Sequence, residues 1–181
     1  MVGVMEVYLE PIIPESTLYI FGAGHVGKAL SGIARKVGFL VAVVDDREDY
    51  ANIERFPQAN VFYVDNWEKV LDRIEVNDNS YLFISTREHR FDELCLRFAL
   101  RSSAKYIGML GSRKKIRLLK KHLEKQGMDG FHRVSVPVGL DIGAETPEEI
   151  AISIAAELVA ARKNRDIVSL KKAVHNAVDA V

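Results

Sequence analysis

An apolar strand that runs straight into Gly22-Ala23-Gly24-His25-Val26-Gly27, with a helical pattern starting at once, leaves a chain few ways to fold. A second apolar run, Phe39 to Val44, ends on Asp45, at about the 20-residue separation from the first glycine that a dinucleotide-binding βαβ unit shows. Each residue type has a mechanical task. Gly22 permits the tight turn, Gly24 lets the backbone approach a pyrophosphate, and Gly27 lets helix and strand pack closely. The helix start offers unpaired N–H groups and the positive end of its dipole to phosphates. Asp45 is expected to accept hydrogen bonds from an adenosine ribose, with NAD or NADP as the cofactor. An acid disfavours a 2′-phosphate, and Arg47 nearby softens that preference.

Composition narrows the partners. At 181 residues one domain with a substantial core is expected. Lys+Arg and Asp+Glu balance at 25 each, so no global field draws the chain to nucleic acid or membrane. A single cysteine excludes an internal disulfide framework and any multi-cysteine zinc site, and suits a reducing compartment. The early apolar stretch is broken by Glu6, Glu10, Pro11 and Pro14, unlike a signal peptide. No uninterrupted apolar run reaches the roughly 18 residues that would span a bilayer. The expectation is a cytoplasmic domain without metal, since His25, His89, His122, His132 and His175 are scattered.

Strands are expected at 17–21, 40–44, 60–64, 81–85, 105–109 and 133–136, and helices at 25–37, 67–75, 90–101, 112–126 and 147–163. This alternation implies a doubly wound α/β sheet, parallel, with helices on both faces and the order 3-2-1-4-5-6. Residues 1–16 read as an N-terminal arm, 17–166 as the dinucleotide-binding domain and 167–181 as a C-terminal helix. The last long helix of the domain opens on Thr146-Pro147-Glu148-Glu149, a capping box with proline at the first helical position. In the tail, Ile167, Leu170, Val174, Ala177 and Val181 recur with heptad-like spacing. That stripe packs on its own domain or on a second copy of the chain, and a homodimer is expected.

Ligands in such sheets bind where the strand order reverses, beyond the ends of strands 1 and 4. Gly22, Gly24, His25, Val26 and Gly27 form the expected cofactor loop, joined by Asp45, Asp46 and Arg47 after strand 2 and by Thr86 after strand 4. Glu88 and His89 follow and are the acid–base candidates, although the same loop also reads as a solvated helix start. A second feature is Gly111-Ser112-Arg113-Lys114-Lys115, where three cations open a helix against its dipole. An anion nearby, phosphate or pterin-phosphate, would relieve that, with Gly111, Ser112, Arg113 and Lys114 as its site and Asp141, between Gly139 and Gly143, beside them. The other reading is a basic solvated face. Cys95 sits in an apolar helical stripe and reads as a small core residue.

Five stretches together resemble one family: Phe21 to Gly27, Val44 to Arg47, Arg55 to Pro57, Tyr106 to Lys115 (YIGMLGSRKK) and Val138 to Glu149 (VGLDIGAETPEE). They look like the Rossmann domain of the XdhC/CoxI family, accessory proteins of xanthine dehydrogenase and related molybdenum hydroxylases. The resemblance covers about residues 5–163. It implies a role in maturation, in which molybdenum cofactor (molybdopterin) is held and its sulfuration or insertion is assisted. Longer members carry an N-terminal domain with a cysteine-bearing segment. The resemblance extends to the Rossmann domain only, and so implies either a separately encoded partner or a role only as a nucleotide-binding half. Two other classes stay open: a small NAD(P)-dependent oxidoreductase, and a nucleotide-sensing regulatory module that shares the glycine motif and the acid.

Overall fold

The computed structural model describes residues 7–8 and 15–167. The expected heptad-like tail therefore lies outside the described residues apart from Ile167, as does most of the expected arm. Six strands, β1 (Thr17–Phe21), β2 (Leu40–Asp45), β3 (Val61–Val64), β4 (Ser80–Ile84), β5 (Tyr106–Met109) and β6 (Val134–Ser135), form one sheet. Its order is β3-β2-β1-β4-β5-β6 and every pairing is parallel. The doubly wound arrangement expected from the alternation is the one observed.

Strand residues alternate between two cores, as the period of two demands. Leu18, Ile20, Val41, Val43, Tyr81 and Phe83 face α1 (His25–Lys36) and α5 (Pro147–Arg162), which pack on each other. Tyr19, Phe21, Val44, Leu82, Ile84 and Met109 face α2 (Trp67–Asp72), α3 (His89–Arg101) and α4 (Arg113–Lys125). Cys95 lies in this second core with no exposed surface, and burial pushes its thiol pKa well up. Among the described residues no helix is long and apolar enough to cross a membrane.

β6 and α2 fall furthest short, in proportion, of the length their sequence pattern suggests. β6 has two residues, because a 3-10 turn at Phe131–Arg133 occupies the start of the expected strand. α2 ends at Asp72, where Arg73 closes the helix with an N–H to Leu71 and Val70 carbonyls.

Candidate functional site

β1 lies between β2 and β4, so three loops meet beyond its carboxyl end. Gly22 N–H donates to the Val44 carbonyl (2.8 Å) and Ser85 N–H to that of Phe21 (2.8 Å), extending both pairings into the loops. Gly22 takes φ +113°, and a Cβ there would stand 2.1 Å from the Ser85 carbonyl oxygen. A Cβ on Gly27 would stand 2.5 Å from the Gly22 carbonyl oxygen. Both positions therefore exclude side chains by geometry. Gly24 differs: the space where its Cβ would point is empty to 4 Å. It caps α1 without any side-chain hydrogen bond, and no acid stands in the first turn. His25 is exposed beside it and Val26 half-buried. The combination is a helix start with no capping side chain and with empty space beside Gly24, as a phosphate site requires.

Asp45 stands at this crevice and faces inward. Its Oδ2 accepts from Ala23 N–H (2.8 Å) and Arg47 Nη2 (3.0 Å), and its Oδ1 from Arg47 N–H (3.1 Å) and Nε (2.8 Å). Burial alone would push this carboxyl pKa up. The hydrogen bonds from Arg47 and Ala23 outweigh burial and hold it below the ordinary carboxylate range. The same pairing raises the Arg47 pKa. Arg47 also lies 3.8 Å over the Tyr50 ring, with Arg55 4.8 Å from that ring's centre. Asp46, half-buried, pairs with Arg87 Nη2 (2.7 Å) from the loop after β4.

That loop is organised by a residue the motif reading did not single out. Asp92, 1% exposed in the first turn of α3, accepts from Thr86 N–H (3.0 Å) and Thr86 Oγ1 (2.7 Å). Its other oxygen pairs with Lys115 Nζ of α4. Thr86 is thus occupied in fastening β4 to α3. A sequence signal for Asp92 existed: it stands on the same helical stripe as Cys95, Leu96 and Ala99, where a carboxylate needs a partner. Glu88 is bonded by Arg90 (2.8 Å) and lies 3.3 Å from Arg87.

His89 does join the basic helix start. A cleft of about 650 Å³ between α3 and α4 is lined by His89, Arg90, Glu93, Ser112, Lys114, Lys115, Leu118, Leu119 and His122. Ser112 caps α4 by accepting from Lys115 N–H (3.3 Å). Of the expected anion-binding residues, Ser112 and Lys114 line this cleft. Gly111 precedes them, its missing Cβ facing Lys115 and Ile116. Arg113 and Asp141 are exposed and do not line it. The loop holding Asp141 is anchored instead by Glu157, which accepts from Ser135 Oγ and Gly139 N–H.

The chain matches the XdhC Rossmann domain model over residues 18–158. It belongs to that family. It is 32% identical over 166 residues to a probable xanthine dehydrogenase subunit of Bacillus subtilis (strain 168), covering 90% of this chain and 48% of that protein. It is 31% identical over 165 residues to the protein YqeB of Escherichia coli (strain K12), covering 90% of this chain and 30% of that protein. A solved structure of a xanthine dehydrogenase from Bacillus halodurans superposes with a TM-score of 0.76 at 35% identity, over 86% of this chain and 45% of that one. The chain spans about half the length, or less, of these relatives.

Proposed function

We propose that this XdhC Rossmann domain is the nucleotide-binding part of a cytoplasmic accessory protein that serves a molybdenum hydroxylase such as xanthine dehydrogenase. It acts by binding and hand-over, without strong turnover of its own. The family match and the names of the relatives from both Bacillus species support the choice of partner. The observation that carries nucleotide binding is the open start of α1 at the strand switch point, with free space at Gly24. An NAD(H)- or NADP(H)-type dinucleotide fits there, its pyrophosphate on the first-turn N–H groups.

The α3–α4 cleft fits the phosphate end of a pterin cofactor. Lys114 supplies charge, Lys115 being neutralised by Asp92, while Ser112 and His89 supply polar contacts and Leu118 and Leu119 supply apolar wall. Molybdenum cofactor held there would bring its own redox chemistry to the partner enzyme. A sulfur-carrying role for this domain does not fit, because its single thiol, Cys95, is fully buried and its thiolate disfavoured. An oxidoreductase reading is weaker on the same grounds of occupancy: Glu88 is held by Arg90 and Arg87. Assembly as a homodimer, or with a separately encoded partner, belongs to this proposal.

Calorimetric titration of NAD⁺, NADH, NADP⁺ and NADPH into the purified chain tests the nucleotide site, and heat from at least one of them is expected. In cells lacking this chain, xanthine dehydrogenase should accumulate with reduced activity and be restored by the wild-type gene. Absence of any nucleotide binding, or full hydroxylase activity without the chain, would defeat the corresponding half of the reading.

A further inference from the structure

The outer faces of the long helices are charged, with one exception. α1 exposes Lys28 and Lys36, α3 exposes Arg90 and Arg101, and α4 exposes Arg117 and Lys121. α5 carries a single charge between Glu149 and Arg162, and that residue, Glu157, is half-buried and bonded to Ser135 and Gly139. The exposed positions in that stretch are Ile152, at 54%, and Ala156. A helix that is apolar all round belongs in an interior, and the sheet with α1 covers only part of this one.

The uncovered face has ends as well as a centre. Glu149, Ile152, Ala156, Val159 and Lys163 follow one another at alternating steps of three and four, the spacing of a seam between two helices. Acids stand at its start, Glu148 and Glu149, and bases at its end, Lys163 and Arg165, all four exposed. A second such helix laid antiparallel about a two-fold axis at Ala156 meets acid with base at both ends. It also sets Ile152 beside Val159 across the axis and lets the two backbones come close at Ala156. α1, packed beside α5, offers a second sign of close approach. Gly32 stands half-buried in the middle of α1, where glycine is unfavourable beside alanine, and the space its Cβ would take is empty to 4 Å. Nothing among the described residues asks for a glycine there, whereas a neighbouring helix would.

We infer that the α1–α5 face is where a second copy of this chain packs, α5 against α5 about a two-fold axis at Ala156. This rests on the homodimer of the reading above and moves its contact from the 167–181 stripe to the body of the domain. The arrangement suits the crevice. Arg162 of α5 donates to the carbonyls of Val37 (2.7 Å) and Gly38 (3.2 Å) at the end of α1, so the two helices run the same way, from the carboxyl edge of the sheet to the other. An antiparallel α5 pair therefore sends the two glycine loops to opposite ends of the dimer and leaves both open.

The experiment is light scattering after size exclusion, over a dilution series, with circular dichroism to verify the fold. The full chain is compared with Ile152→Glu, Glu148→Lys, Lys163→Glu and the Glu148→Lys/Lys163→Glu double variant. All three positions are exposed, so these changes leave the core of the chain intact. Wild type should run at twice the chain mass. Ile152→Glu should raise the dimer dissociation constant by about thirtyfold or more. Each single charge reversal should raise it by about tenfold, because the two-fold axis breaks the pair twice. The double variant should return to the wild-type value, a rescue that a folding defect does not give. Leu170→Glu/Val174→Glu, in the tail stripe, should stay dimeric. A dimer that survives Ile152→Glu and both reversals would overturn the inference while leaving the homodimer reading intact. So would a dimer that only Leu170→Glu/Val174→Glu dissociates. A wild type that is monomeric at every concentration would overturn both.

Discussion

α1 and α5 lie side by side on one face of the sheet and begin in opposite ways. α5 opens closed: Thr146 Oγ1 accepts from Glu149 N–H (3.2 Å), and the Glu149 carboxylate accepts from Thr146 N–H (3.0 Å) and Glu145 N–H (2.9 Å). Those backbone donors hold the Glu149 pKa below its ordinary value. Pro147 has no N–H to satisfy, and two acids sit in the first turn. α1 opens on a glycine with no capping side chain and no acid. A side-chain N-cap is worth roughly a few tenths of a kcal/mol more than glycine, and α1 forgoes that. The same chain can evidently write a closed start, so the open one is a choice of composition at one place. That place is the strand switch point, where an incoming anion can supply what α5 supplies for itself.

The comparison can be broken most violently at the loop's geometry. Gly22→Ala forces a side chain into a left-handed conformation and against the Ser85 carbonyl. The expected loss is about 3 kcal/mol or more, since the clash adds to the strain. Chemical denaturation of the variant checks it. Asp45→Asn comes next, at about 2 kcal/mol, because it removes hydrogen bonds to a charged acceptor that fasten the loop. It also has a pH signature. The folded-state pKa of Asp45 is depressed. Its stabilisation is therefore fully present above the unfolded value of about 4 and is lost as pH falls through the folded value. The stability–pH curve of Asp45→Asn should be flatter across that acid limb than the wild-type curve.

Thr146→Ala is smaller still. It removes the α5 cap for about 1 kcal/mol and should leave nucleotide affinity unchanged, as seen by paired melting and calorimetry. A loss of binding there would show that helix starts at a distance from the crevice matter too, and would blur the contrast between α1 and α5.

What could be read ahead of the structure was whatever depends on periodicity and local chemistry. β1, β2 and β4 are buried on both faces and so appear as continuous apolar runs. The order of the sheet follows from crossover handedness, and the α5 capping box is written in consecutive residues. What could not be read depends on side chains meeting in space. Asp45 carries the right identity at the right place, but only the fold-back of Arg47 shows that its oxygens are occupied. Asp92 and Lys115 come from different helices, and their pairing joins the β4 loop to the basic start of α4. The three cations that open α4 therefore do not share one environment: Lys115 is partnered from the core, Lys114 lines the cleft, and Arg113 faces solvent.

Gly24 tests the central claim most directly, because stability and binding separate there. Its φ of −76° suits any residue, and a Cβ would meet nothing within 4 Å. Gly24→Ala should therefore shift stability little, because the roughly 1 kcal/mol by which glycine exceeds alanine at an N-cap is offset by the comparable entropy that alanine removes from the unfolded chain. The methyl group would occupy the path by which a pyrophosphate reaches the α1 N–H groups. The measurement is calorimetric titration of NAD⁺ into wild-type and Gly24→Ala proteins with matched melting curves. The prediction is an affinity lower by about tenfold or more at an unchanged melting midpoint. Wild-type affinity in the Gly24→Ala protein, or no binding to either, would contradict the assignment of the open α1 start as the phosphate site.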